Sequence, residues 1–185
     1  MSLKELTWDN HKKAERKKFA AILMSGNISP TLYIKYLYNQ LHNYLALEDA
    51  LEALEFPSEL ADVYRADKIN EDIKELLNDF DIVFDSDILT PSTIAYADHI
   101  DDLRSKGDLQ SLIAHMYVRH FGDMYGGAMI AKRIPGSGRM YEFDNKEELK
   151  ISLRELLNDD MADEANKCFE FAIELFHELG NEPYE

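Results

Sequence analysis

The stretch DLQSLIAHMYVRHFGDMYGGAMIAK, residues 108–132, decides how this chain is read. Its apolar residues recur at helical spacing, and Asp108 stands at its head as an N-cap. Gly122, Gly126 and Gly127 nevertheless lie inside the pattern. A glycine costs a helix about 1 kcal/mol relative to alanine, so something should compensate. Gly122 and Gly126 are one turn apart and open a flat patch on one face. Asp123 adjoins the patch, and Arg119 lies one turn before Asp123. Two readings fit this spacing. One is close helix packing through small residues with a surface Arg–Asp pair. The other is a backbone that approaches a flat, bulky ligand, with glycines that let the helix bend. A phosphate-binding loop does not fit, because such a loop follows a strand and opens a helix.

Outward from this segment the chain reads as helix almost throughout. Leu3–Met24 forms a first helix, stopped by Gly26 and Asn27. Ser29-Pro30 caps a second, whose stripe Tyr33, Leu37, Leu41, Tyr44, Leu47, Leu51, Leu54 runs until Pro57 ends it. A short helix starts at Ser58 and another covers Asp67–Asn78. Phe80–Leu89 alternates like a strand but has no partner strand, so it reads as an extended connection. Thr90-Pro91 opens the next helix and Gly107 closes it. Residues 135–138 make a loop. Asn145–Asn158 and Asp159–Leu179 are the last helices, with Gly180 expected at the C′ position. The expected fold is an all-α, single-domain bundle of about seven or eight helices spanning residues 1–185.

Composition narrows the function. A chain of 185 residues buries about 70% of its unfolded surface, enough for one core. Its 36 acidic residues against 20 basic ones give a net charge of −16, which disfavours nucleic acid. The lone Cys168 excludes an internal disulfide or a cysteine-based zinc site and suits a reducing compartment. No apolar run reaches membrane-spanning length, and residues 1–10 lack the apolar core of a secretory signal. The expectation is a soluble, cytoplasmic protein with no membrane anchor.

Tyr117-x-Arg119-x-x-Gly122-Asp123-x-x-Gly126-Gly127 resembles the distal-helix signature of the heme oxygenase family, and matches continue from about Leu3 to Leu179. His11-x-x-x-Glu15 resembles the proximal histidine and the glutamate after it. Leu45-Ala-Leu-Glu-Asp and Phe56-Pro-x-Glu-Leu resemble segments at and after the second helix. Lys150-x-x-x-Arg154 resembles the basic pair at the heme propionates. Phe169 and Leu175-Phe176-x-Glu-Leu resemble the final helix. The chain departs from the family at Tyr125, where a small residue is usual, at Ala128, and at Ala172 in place of a frequent asparagine. These departures bear on the distal water network.

The resemblance implies heme b as both cofactor and substrate, sandwiched between a proximal and a distal helix. It implies O₂ as co-substrate and cleavage at the α-meso carbon to biliverdin IXα, with release of Fe(II) and CO. Spacing alone would favour His115 or His120 as iron ligand. The resemblance points instead to His11, with Glu15 one turn away to orient it. It implies that Gly122, Gly126 and Gly127 admit the porphyrin. It also implies that Asp123, with Tyr44, Tyr117 and Arg119, holds the water that delivers protons. Lys4, Lys150 and Arg154 are implied as propionate contacts. Without the resemblance these are charged helix faces. Electrons are expected from a reduced ferredoxin, docked on the basic block Lys12, Lys13, Arg16, Lys17, Lys18 or on Lys132, Arg133, Arg139. This is the soluble type found in cyanobacteria, algae and their phages, a monomer feeding a downstream bilin reductase. Two alternatives are a non-catalytic heme or tetrapyrrole binder and a helical di-iron enzyme. The second wants two Glu-x-x-His motifs, and only Glu174-x-x-His177 is present.

Overall fold

Four of the helices start where capping residues stand. The computed structural model describes residues 1–84 and 88–181. It orders them as α1 (Leu3–Glu15), α2 (Lys18–Met24), α3 (Pro30–Ala53), α4 (Ala66–Phe80), α5 (Pro91–Ser105), α6 (Leu109–Met116), α7 (Gly122–Ala131), α8 (Lys146–Arg154) and α9 (Ala162–Gly180). Among the described residues there is no strand. Ser2 and Glu5 form a reciprocal capping box on α1. Ser29 and Thr90 cap α3 and α5, each with proline in the first turn, and Asp108 caps α6. Single 3₁₀ turns occupy Ser58–Val63, Arg139–Tyr141 and Asp159–Met161.

Three expectations are corrected. The first helix breaks at Arg16-Lys17, where Lys17 is extended. Ala14 is buried, so an unbroken helix would next turn Lys18 inward and swing Phe19 away. The break instead puts Phe19, fully buried, against Tyr36 at 5.1 Å and Phe176 at 5.4 Å. Gly180 is the last residue of α9 and not a left-handed C′ residue. A Cβ there would lie 3.2 Å from the Phe19 backbone nitrogen, so this glycine serves the close approach of α2. The long helix of residues 108–132 bends before its glycines. Tyr117–Phe121 forms a π turn between α6 and α7, ending one residue ahead of Gly122.

The expected extended connection lies partly outside the described residues. Phe80 still belongs to α4, Asp81 turns the chain at φ 49°, and residues 82–84 have no regular structure.

The 24-residue α3 spans about 36 Å and joins two halves of the core. Its later turns pack Leu47 and Leu51 with α5, α6, α8 and the start of α9. Its earlier turns pack Tyr33, Ile34 and Leu37 with α2, α4 and the end of α9. Helix α1 lies along α9, which places it opposite the π turn and α7 across a gap. Among the described residues no helix is long and apolar enough to cross a membrane.

Candidate functional site

The gap is a mostly apolar cleft of about 390 Å³. Lys4, Thr7, Trp8 and His11 of α1 form one wall. Tyr117, Val118, Phe121, Gly122 and Tyr125 form the other, and Arg154, Leu157 and Phe169 close the ends. Both walls follow from helical periodicity. Residues 4, 8 and 11 share a face of α1, as residues 118, 121, 122 and 125 do across the π turn.

On the α1 wall the His11 ring is held by other rings. Trp8 stacks on it at 5.1 Å and Phe169 meets it edge-on at 5.8 Å. Nε2 lies 3.7 Å from Glu15 Oε1, while Nδ1 is buried without a hydrogen-bond partner. One ring nitrogen therefore addresses a carboxylate, and the other has no protein partner. The Lys4 and Lys12 ammonium groups stand 5.9 and 5.8 Å from the Trp8 ring centre.

The opposite wall is bare where the glycines stand. A Cβ at Gly122 or Gly126 would meet nothing within 4 Å, whereas one at Gly127 would strike Tyr141 Cδ1 at 2.6 Å. The glycines thus divide. Gly127 serves packing, and Gly122 opens onto the cleft. The packing reading holds at Gly127, but its surface Arg–Asp pair does not, because Arg119 is buried.

Arg119 and Asp123 sit behind this wall, against α3. The Tyr44 hydroxyl donates to Asp123 Oδ2. Removal from water pushes the Asp123 carboxyl up to about 7, against the Tyr44 hydrogen bond and the Arg119 and Arg65 charges. Arg119 is buried. Its Nη1 donates to Gln40 Oε1 at 3.3 Å, and its guanidinium lies 4.1 Å from the Tyr96 ring centre. Gln40 in turn donates to Tyr36.

His115 and His120, adjacent to the glycines in sequence, are already engaged. His115 Nε2 lies 2.9 Å from Glu164 Oε1 and His120 Nε2 lies 2.9 Å from Glu48 Oε1. Neither lines the cleft, and among its lining residues His11 is the one histidine. Of the other expected residues, Lys4, Tyr117, Gly122, Arg154 and Phe169 line the cleft. Glu15, Tyr44, Arg119, Asp123, Gly126, Gly127 and Lys150 do not. Lys150 is close by, with its ammonium 4.3 Å from the Tyr125 ring and 3.0 Å from Glu147 Oε1. Arg154 Nη2 donates to the Tyr125 hydroxyl, and the Tyr125 ring stacks on Phe121 at 6.0 Å.

Trp8 and Tyr125 went unassigned as site residues. The signal was present in the spacing. Trp8 is one turn from both Lys4 and His11, and Tyr125 is one turn from Phe121. The single Glu174-x-x-His177 motif gathers no metal cluster. Among the described residues the one group with metal-ligand spacing is His99, His115 and Glu164.

The structure is thus an all-helical bundle that holds an aromatic-braced histidine across a cleft from a bare glycine wall. The sequence model of the heme oxygenase family matches residues 1–178, and the chain belongs to that family. It is 26% identical to heme oxygenase 2 of Macaca fascicularis over 96% of its own length, and spans 64% of that protein. It is 29% identical to a heme oxygenase of Guillardia theta, covering 97% of this chain and 85% of the relative. The fold matches the crystal structure of Synechocystis heme oxygenase-1 in complex with heme at a TM-score of 0.82. That match has 23% identity and covers 96% of this chain and 90% of the other.

Proposed function

We propose that this chain opens heme oxidatively at the α-meso carbon to biliverdin IXα, releasing Fe(II) and CO, with O₂ and electrons from a reduced ferredoxin. The observation that carries the reading is the pairing of His11 on one wall with open Cβ space at Gly122 on the other. The two walls would hold a flat macrocycle between them, and His11 would offer its iron an imidazole nitrogen. When bound, heme supplies both the iron that activates dioxygen and the ring that is opened.

The chain's own residues set the conditions. His11 offers an imidazole nitrogen, Glu15 orients the ring, and Trp8 and Phe169 keep it from turning. Arg154 and Lys4 bring positive charge to the cleft of an otherwise acidic protein, and Lys150 stands behind Tyr125. They anchor the two propionates and so fix ring rotation. Gly122 and Gly126 leave the distal face clear, and Gly127 lets Tyr141 pack behind it. With its carboxyl pushed up to about 7 by burial, Asp123 can take up and give back a proton near neutral pH, beside the Tyr44 hydroxyl that donates to it. Together with Arg119 and Tyr117 it orders the water through which protons reach the cleft.

For the electron donor, the α1–α2 junction is the favoured surface. Lys12, Lys13, Arg16 and Lys17 surround the helix break, on the same helix as His11. In the second basic group one member is committed elsewhere. Arg139 pairs with Glu71, Asp72 and Glu75. An acidic ferredoxin complements the first block. The reading makes the chain a cytoplasmic monomer whose product passes to a bilin reductase.

The test is turnover of the hemin complex with ferredoxin, its reductase and NADPH under air, with products separated by HPLC. Bleaching with one biliverdin isomer supports the reading. A heme complex that stays unbleached, with ascorbate as well, would make the chain a heme binder. Unchanged turnover after reversing the charges at Lys12, Lys13 and Lys17 would remove the α1–α2 surface from the account.

A further inference from the structure

Away from the cleft, where α5, α6 and α9 meet, two imidazoles and a carboxylate converge. His115 Nε2 lies 2.9 Å from Glu164 Oε1, and His99 Nε2 makes a shorter contact with the same oxygen. The three donor atoms all lie within 4.8 Å of one another. The proposed heme chemistry uses none of them.

The donors are held in place. The His115 ring is fully buried and meets Tyr96 edge-on at 5.3 Å. The His99 ring packs against Phe171 at 5.6 Å and against the His115 ring at 5.4 Å. His99 and Glu164 keep 14% and 20% of their side-chain exposure, so an ion reaches the donors from that side. Zinc binds imidazole nitrogen and carboxylate oxygen at about 2.0–2.2 Å, so tetrahedral ligand atoms stand about 3.3 Å apart. The present spacing therefore needs only a small spread to admit an ion.

His115 Nδ1 is buried, and the Cys168 side chain interacts with the same imidazole. With Nε2 turned to Glu164, the ring presents that edge to an ion. Glu164 supplies the negative charge, within hydrogen-bond reach of both imidazoles. One ammonium, Lys167, acts against a cation here.

We propose that His99, His115 and Glu164 bind one divalent transition-metal ion, with water completing its coordination. Two imidazoles and one carboxylate suit Zn²⁺, Co²⁺ and Fe²⁺ and leave at least one position open. The ion ties three helices together, so binding raises thermal stability.

The experiment titrates the heme-free protein with Co²⁺ and reads its visible ligand-field absorption, alongside Tm with and without Zn²⁺. One saturable Co²⁺ per chain is expected, with nitrogen-ligand bands and a rise in Tm on adding Zn²⁺. His99→Ala should weaken Co²⁺ by more than roughly a hundredfold, the top of the range for losing an outer-sphere partner. It should also abolish the Zn²⁺ effect on Tm while hemin binding stays unchanged. His42→Ala and His11→Ala should retain the Co²⁺ bands. Absence of saturable Co²⁺ binding would overturn the site. So would binding that survives His99→Ala, or that follows His11 instead.

Discussion

His11 and His120 each address a glutamate, one on the surface of α1 and one in the core behind α7. The His11–Glu15 pair is loose and local. Its atoms stand 3.7 Å apart, the side chains are 41% and 64% exposed, and the partners sit one turn apart on the same helix. The His120–Glu48 pair is closed. Glu48 accepts from His120 Nε2 and from the backbone nitrogens of Arg65 and Ala66, all buried, so it also caps the start of α4. The difference divides the labour across the cleft. Of the two, the histidine that lines the cleft is the one with the looser glutamate. The histidines nearest the glycines in sequence are spent on joining helices.

The sharpest way to break this comparison is to remove each glutamate. Glu48→Ala leaves two backbone donors and an imidazole buried without an acceptor. It should cost about 3–5 kcal/mol in urea unfolding. Glu15→Ala should cost less than about 1 kcal/mol, the scale of exposed pairs. Equal losses would erase the distinction between the two walls.

The glycines sharpen it next. Gly127→Ala drives a methyl into Tyr141 and should destabilise by about 1–3 kcal/mol. Gly122→Ala has open space, so its fold should be unchanged or up to about 1 kcal/mol more stable. Its hemin affinity should fall, because the methyl occupies the bare wall. A Gly122→Ala protein that binds hemin as tightly as the parent would show that the wall is not where the ligand lies.

A further contrast separates two carboxylates by pH. Asp123 is pushed up to about 7 by burial, so its contribution is greatest below the unfolded pKa and fades as pH rises through 7. Glu164 is held down to about 2, so its contribution is present above the unfolded pKa and fades as pH falls towards 2. Asp123→Asn should flatten the stability profile between pH 4 and 7. Glu164→Gln should flatten it below about pH 4. Urea midpoints across pH 2–8 read both; an Asp123→Asn profile with the parent's slope would contradict the burial of that carboxyl.

Much of the fold is legible because caps are local. Ser2, Ser29, Thr90 and Asp108 each announce a helix within three residues of chain. The break at Arg16 is not local. Basic residues run through it without a glycine or proline, and its cause is the pull of Phe19 into a pocket made by Tyr36 and Phe176. The π turn is equally silent in sequence, since Tyr117–Phe121 suits an α-helix as well. For the site, the distal signature marked a segment that walls the cleft. Which glycine opens the wall and which receives Tyr141 depends on the turn at residues 139–141, far along the chain. His99, His115 and Glu164 have no motif spacing at all, and only the meeting of three helices joins them.

The central claim is that His11 is the ligand histidine of the cleft. Hemin titration of the parent and of His11→Ala, read in the Soret band, tests it most directly. The account expects a one-to-one complex in the parent, an altered band with lost turnover in His11→Ala, and recovery of the parent-like band on adding imidazole. An unchanged Soret spectrum in His11→Ala, or one lost instead on changing His115 or His120 in a protein that remains folded, would contradict it.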